Sequence, residues 1–378
     1  MGRTEVVINR SYGPASHELE VSLFGPGYGE CVLVHLGSGE WLIIDSCINQ
    51  YDGGNPALDY LKSLGIDPNE AVKLIVASHW DDDHVRGLSG ILEECREASF
   101  VRSLALDNMD FIDLVESGGA DLTVAKSGVS EFHRILRILM ERKNRGAVTI
   151  APIWAGADRR IWHRPDAGEQ PSAEVWSLSP SDESVTRSLQ SIRVLLAEQS
   201  GTKKVIKAPR PNHATTVIWV TVGNVSVLLG GDLEETGGPN TGWTVIVESS
   251  GRPRGLAEVL KVPHHGSADA DQPRVWDDML VRQPIAVLAP WSRGSHYLPT
   301  DTDRRRICSR TDDAYTTTRP GRPSRRKRPR TVDKTINETV RRIHNLNGPM
   351  GHIQLRRSVG EPSAPWTVQL MGAARRLC

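Results

Sequence analysis

The chain has 378 residues, of which 38% are hydrophobic and 24% charged, enough apolar material for a sizeable core. That composition excludes a disordered chain, a collagen and a coiled coil. Lysine plus arginine (46) cancels aspartate plus glutamate (46), so the whole-chain charge points to neither a nucleic acid nor a membrane.

The five cysteines (Cys31, Cys47, Cys95, Cys308, Cys378) are scattered and form no CxxC pair. Neither a disulfide framework nor a thiolate zinc knuckle is expected, and a reducing compartment fits. The first residues lack the apolar stretch of a signal peptide. No run approaches the ~20 apolar residues of a membrane span. The expected location is cytoplasmic, with no membrane partner.

Period-two alternation predicts a strand over Leu19–Phe24, and strands over Cys31–Leu36 and Trp41–Asp45 follow, joined by Gly37-Ser38-Gly39. A short helix follows around Leu58–Leu64, then a buried strand Leu74–Ala77 and a helix starting near Val85. Residues 107–146 read as mainly helical, with Phe132, Ile135, Leu136 and Leu139 at helical spacing. The Gly-, Pro- and charge-rich stretch 156–170 reads as loop. The whole of 107–205 is expected to be a helical and loop insertion in a single domain spanning 1–378. A second strand-rich half holds Thr216–Val220 and Val225–Leu229 around Gly223-Asn224, then Val259–Val262 and Ile285–Leu288. A helix near Val332–Asn345 and strands His352–Arg356 and Trp366–Leu370 close the chain. Alternating strands and helices give an α/β or α+β class with layered sheets.

Residues 319–330 hold seven basic side chains, among them Arg322, Arg325, Arg326, Lys327 and Arg328, and no acid. The remainder is left with 39 basic against 46 acidic residues, so the charge is polarised. Proline-rich and poor in apolar residues, this stretch is expected to form a disordered basic loop over 311–331. Gly321-Arg322-Pro323 resembles the core of an AT-hook, an arm that carries arginine into the minor groove. The competing reading is a solubilising surface loop.

Three strand ends carry the chemistry. Ser78-His79-Trp80-Asp81-Asp82-Asp83-His84 follows the buried strand at Leu74–Ala77. Carboxylates so crowded repel one another unless a cation sits among them, and imidazole with carboxylate suits zinc, manganese or iron. Leu228-Leu229-Gly230-Gly231-Asp232 presents Asp232 just past another strand. Val262-Pro263-His264-His265-Gly266-Ser267 ends a third, and adjacent histidines point apart, so at most one is expected as a direct ligand.

Together these motifs resemble the metallo-β-lactamase superfamily. Its His-x-His-x-Asp-His signature is matched by His79-Trp80-Asp81-Asp82-Asp83-His84, with Asp81 in the second histidine's place. The resemblance implies a four-layer αβ/βα sandwich with a two-metal site at one sheet edge. It aligns Asp45 with the family's supporting early aspartate and Asp232 with the metal-bridging one. The nearest likeness is to the soluble domain of the ComEC/Rec2 DNA-uptake proteins, through the Asp-rich first motif, the Gly-Asp strand end, Val-Pro-His-His-Gly-Ser, and Asn212 with Thr216. Those proteins usually carry membrane spans, and none is expected here. The family's usual histidine between the first motif and Asp232 has no evident counterpart. His133 reads as structural on an amphipathic helix, and His163, in the polar stretch, is the better candidate.

The resemblance thus implies two divalent ions, Zn or Mn. His79 and Asp81 would hold one and Asp83 and His84 the other, with Asp232 bridging and His264 completing the site. Asp83 or Asp232 would orient the attacking water. His265 or His296 would protonate the leaving oxygen, His296 being alternatively a last ligand. The expected function is a metal-dependent phosphodiesterase, a nuclease acting on DNA and compatible with defence against foreign DNA. Hydrolysis of a small ester, lactone, thioester or cyclic nucleotide competes with it, as does a non-catalytic DNA- or metal-binding module.

Overall fold

The computed structural model describes residues 5–6, 12–27, 29–107, 109–119, 128–144, 152–168, 170–199, 211–293, 295–321, 331–332, 339 and 350–378. In chain order the strands are β1 (Glu5–Val6), β2 (Glu18–Gly27), β3 (Gly29–His35), β4 (Trp41–Ile44), β5 (Val72–Ala77), β6 (Ser99–Ser103), β7 (Ile153–Ala155), β8 (Arg159–Arg164), β9 (Ala173–Ser177) and β10 (Ile218–Val222). They continue as β11 (Val225–Leu229), β12 (Ala257–Lys261), β13 (Leu280–Leu288), β14 (Trp291–Arg293), β15 (His296–Leu298), β16 (Ala314–Thr316), β17 (Gly351–Ser358), β18 (Thr367–Gly372) and β19 (Arg375–Arg376).

One sheet runs β1-β18-β17-β2-β3-β4-β5-β6-β7 and the other β19-β16-β13-β12-β11-β10-β9-β8. Strand alternation decides which face each residue covers. Val32, Val34, Leu42, Ile44, Leu74 and Val76 of the first sheet meet Ile218, Val220, Val227, Leu229 and Val259 of the second in one buried core. The intervening residues face outward onto helices. Leu33, Ile43 and Ile75 pack with Phe111 and Phe132, which lie on helices Met109–Gly119 and Gly128–Asn144. Trp219, Leu228 and Leu260 pack with Trp243 and Ile246 of helix Gly242–Glu248. The layering is therefore the helix–sheet–sheet–helix sandwich expected.

Several boundaries differ. The stretch 107–205 is not an insertion throughout, because β7 edges the first sheet and β8 and β9 edge the second. The stretch 156–170 contains β8, not loop alone. β8 reads Arg-Arg-Ile-Trp-His-Arg, and an edge strand with one face in solvent needs little apolar signal. The segment 311–331 does not begin as a loop either: β16 is buried and pairs with β13 and β19. Arg322, Arg325, Arg326, Lys327 and Arg328 lie outside the described residues, as does nearly all of the expected helix at 332–345.

The cysteines correct a second expectation. Cys308 and Cys378 form a disulfide, while Cys31, Cys47 and Cys95 are free and buried. The β16–β19 pairing carries the chain end back to the helix Asp301–Cys308, a proximity that cysteine spacing does not reveal. Among the described residues no helix is long and apolar enough to cross a membrane.

Candidate metal centre

β4 runs parallel to β5 and β11 parallel to β12, so the four C-terminal ends open in pairs at one edge of their sheets. Backbone hydrogen bonds tie these ends together, from Thr216 N to Ser78 O (2.8 Å) across the sheets and from His264 N to Gly231 O (3.0 Å). Gly29 permits a close backbone approach. Its φ is +102°, and a Cβ there would lie 1.9 Å from the Asp83 carbonyl oxygen.

Asp45 stands at the end of β4 with φ +59°, a strained value for a residue bearing a side chain. Its Oδ1 accepts from Ser78 N and its Oδ2 from Ser78 Oγ (2.6 Å), and Oδ2 also pairs with His84 Nδ1 (2.8 Å). Ser78 Oγ in turn lies 2.8 Å from His79 Nδ1. Both histidines are thereby engaged through Nδ1, which leaves each Nε2 free. Both Nε2 atoms are buried and have no hydrogen-bond partner. Buried orphaned nitrogens among carboxylates are what a cation-binding centre requires.

Asp232 Oδ2 lies 3.2 Å from His84 Nε2 and 3.4 Å from His265 Nε2. Asp83 Oδ2 is 3.7 Å from His265 Nε2. Asp45, His79 and His84 could hold a metal ion by spacing, as could Asp83, His84 and His265, and Glu30, His84 and Asp232. The donor set of imidazoles and carboxylates fits a divalent cation.

Charge coupling is strong throughout. Burial disfavours the charged form of His265, yet Asp232 and Asp83 outweigh it and push its pKa up to about 10. Burial also works against charged His84, and Asp232 and Asp45 again prevail, raising its pKa. Burial would raise Asp232, but His84, His265 and Lys261 hold it well below the usual range. The same contest leaves Asp83 lowered, through His265 and His84. His79, with no dominant carboxylate beside it, is brought down to about 4 by burial. Asp81 is pushed up to about 7 by burial and by Asp83. Metal-free, the centre keeps His84 and His265 protonated and His79 neutral, so a metal displaces protons from the first two.

The structure brings His79, Asp83, His84, Asp232 and His265 together, with Asp81 beside them at 3.9 Å from His79 Nε2. The two adjacent histidines are placed apart, and the one expected as a ligand is not the one that faces this group. His265, not His264, points into the group; its Nδ1 lies 2.9 Å from Ala289 O. His264 turns toward Asp269 (3.1 Å) and Asn212 (3.3 Å), in a neighbouring group with Glu234. Both residues have left-handed φ values, +47° and +53°, and this turn separates their side chains. His296 is exposed on the β14–β15 hairpin, opposite Arg293 and outside the group. The hairpin's Trp291, in contrast, lies with its ring 6.5 Å from that of His265 and nearly parallel to it. His163 is exposed on β8 opposite Glu174, and His133 is half-buried on its helix.

Two buried ions at the floor of the centre were not singled out from the sequence. Glu30 is 2% exposed and Lys261 1% exposed, and they form an ion pair. Alternation marks both: Glu30 shares the parity of inward-facing Val32 and Val34, and Lys261 that of Val259.

Residues 24–137 match the family model of the metallo-beta-lactamase superfamily. The superfamily in general comprises metal-binding metallohydrolases. Among solved structures, the chain is similar to a metallo-beta-lactamase from Cronobacter sakazakii with a HARLDQ motif, at 12% identity over 61% of this chain and 66% of that one (TM-score 0.29). It is also similar to BJP-1, a subclass B3 metallo-beta-lactamase of Bradyrhizobium japonicum, at 15% identity over 58% and 64% (TM-score 0.29). A third is Zn(2+)-bound PqqB from Methylobacterium extorquens, at 11% over 62% and 75% (TM-score 0.27). The chain spans just under two thirds of the first two structures. No curated protein matches the chain.

Proposed function

We propose that this chain is a metal-dependent phosphodiesterase, a nuclease acting on DNA. The observation that carries the hydrolase reading is the convergence of His79, Asp83, His84, Asp232 and His265 at one sheet edge, with two buried imidazole nitrogens that make no hydrogen bond. Two divalent ions, manganese or zinc, would supply Lewis-acid stabilisation of an oxygen-centred charge and an activated water.

The chain's own residues prepare that chemistry. Asp45 and Ser78 fix the rings of His84 and His79, and Ala289 O fixes that of His265. Asp232 Oδ2 sits between His84 and His265, as a bridging ligand would. Asp81 replaces an imidazole of the family signature with a harder oxygen, which favours manganese relative to an all-histidine site. The basic residues of 319–330 support a polyanionic substrate, held mainly through its phosphates.

Metal analysis of the purified protein tests this, followed by assays with Mn and with Zn. Substrates are single- and double-stranded DNA, a cyclic dinucleotide and a lactone. DNA cleavage is expected. Asp83→Asn and Asp232→Ala are each expected to lose activity and metal together while circular dichroism is unchanged. Full metal and full activity in both variants would overturn the site. Turnover of the lactone with intact DNA would overturn the nuclease reading alone.

A further inference from the structure

Lys261 is a buried ammonium inside the inter-sheet core. It is the last residue of β12, one step past outward-facing Leu260, so it points between the sheets at the edge where the centre lies. Its Nζ donates to Gly231 O at 2.8 Å and lies 3.5 Å from Asp232 Oδ1. From the facing sheet, Glu30 on β3 closes the cage as its ion-pair partner. A lysine this deep persists only when carboxylates or carbonyls surround its charge.

The two oxygens of Asp232 are thereby divided. Oδ1 faces the fixed ammonium, and Oδ2 faces His84 Nε2 and His265 Nε2 at 3.2 and 3.4 Å. Without a donor at Oδ1 the carboxylate is free to rotate about its Cβ–Cγ bond, and Gly231 before it offers no side chain to restrain it. From this geometry we infer that Lys261 is a positioning residue, which anchors Asp232 through Oδ1 and presents Oδ2 alone to a divalent cation held by His84 and His265. The fixed positive charge also offsets part of the negative charge gathered by Glu30, Asp45, Asp83 and Asp232, so the centre tolerates its carboxylates before a metal arrives.

The inference rests on the metal-centre reading above, and the experiment separates the two. Mn²⁺ alone is titrated into metal-free wild type, Glu30→Gln, Lys261→Met, and Glu30→Gln combined with Lys261→Met. The double variant removes both charges of the Lys261–Glu30 pair and is expected to fold even where the single variant does not. At least tenfold weaker Mn²⁺ binding is expected in the folded variant than in Glu30→Gln alone, which keeps the ammonium. A merely structural role is distinguished by adding Asp232→Asn. The factor that Asp232→Asn costs in wild type should shrink in the variant background, because the carboxylate it removes is no longer held in place. The Mn²⁺ affinity of Glu30→Gln retained in the folded double variant would overturn the assignment, and so would factors that simply multiply. Absence of Mn²⁺ binding by wild type would overturn the metal centre and this inference with it.

Discussion

Asp45 Oδ2 lies 2.8 Å from His84 Nδ1 and so determines which nitrogen of that ring faces Asp232. The same oxygen accepts from Ser78 Oγ, so one carboxylate sets the orientation of His84 directly and of His79 through the serine. Asp45→Asn keeps the shape but removes the charge that holds the His84 proton on Nδ1. Outer partners of metal-bound histidines are worth about 10–100-fold in metal affinity. A fall of that size in Mn²⁺ affinity is expected, with an unchanged circular dichroism spectrum. Wild-type affinity would show that the tautomer is set by other groups.

The raised pKa of His265, about 10 against an ordinary value of 6.5, gives a pH dependence with a definite sign. A histidine that binds its proton more tightly folded than unfolded stabilises the fold fully below pH 6.5, and that contribution is lost as pH rises through 10. The metal-free protein should therefore melt at progressively lower temperature between pH 6.5 and 10, more steeply than His265→Gln. Below pH 6.5 two groups oppose each other. Asp81, raised to about 7, loses stability as pH climbs from about 4 to 7, and His79, lowered to about 4, loses it as pH falls through the same range. Mn²⁺ binding must displace the His265 proton, so its affinity should rise with pH over 6.5–10 and calorimetry should detect proton release. Parallel melting curves for wild type and His265→Gln would refute this.

How much of the centre is legible in sequence depends on how local it is. His79, Asp83 and His84 fall in a span of six residues just past one strand end, and the strand itself announces them. Asp232 follows an apolar strand that runs straight into Gly230-Gly231. The choice between His264 and His265 is not legible, because it is made by two consecutive left-handed residues that nothing in Pro-His-His-Gly specifies. Lys261 and Glu30 were readable as inward-facing but not as a pair, since their contact exists only once the two sheets face each other. The fold divides similarly. Buried central strands such as Val225–Leu229 match their sequence bounds, whereas polar β8 at a sheet edge carries no such pattern.

The Cys308–Cys378 disulfide closes a loop with a sequence separation of 70. Chain-entropy reasoning assigns such a loop about 4 kcal/mol of stabilisation. Reduction, or Cys308→Ser, should lower the melting temperature by several degrees. The Arg306 contact to Gly266 O, 2.7 Å long and beside the histidine turn, does not involve the sulfurs. Mn²⁺ binding should therefore survive reduction at temperatures where the protein stays folded. Calorimetric melting with and without reductant measures the effect, and identical curves would mean that the bond contributes nothing to stability.

The segment 319–330 carries seven positive charges on a chain whose remainder has 39 basic and 46 acidic residues. It must supply much of any attraction to a polyanion. It contains no histidine, cysteine or carboxylate, so it offers no ligand to the metal centre. Its deletion should weaken nucleic-acid binding and leave the cleavage of a small phosphodiester unchanged. If about four to six of its charges meet phosphates, the slope of log K against log salt should fall by ~4–5 on duplex DNA, at ~0.9 per phosphate. Binding isotherms from low to moderate salt, with and without the segment, measure that slope. An unchanged slope would make the segment a solvated surface feature and remove the charge argument for a DNA substrate, leaving the metal centre as it stands.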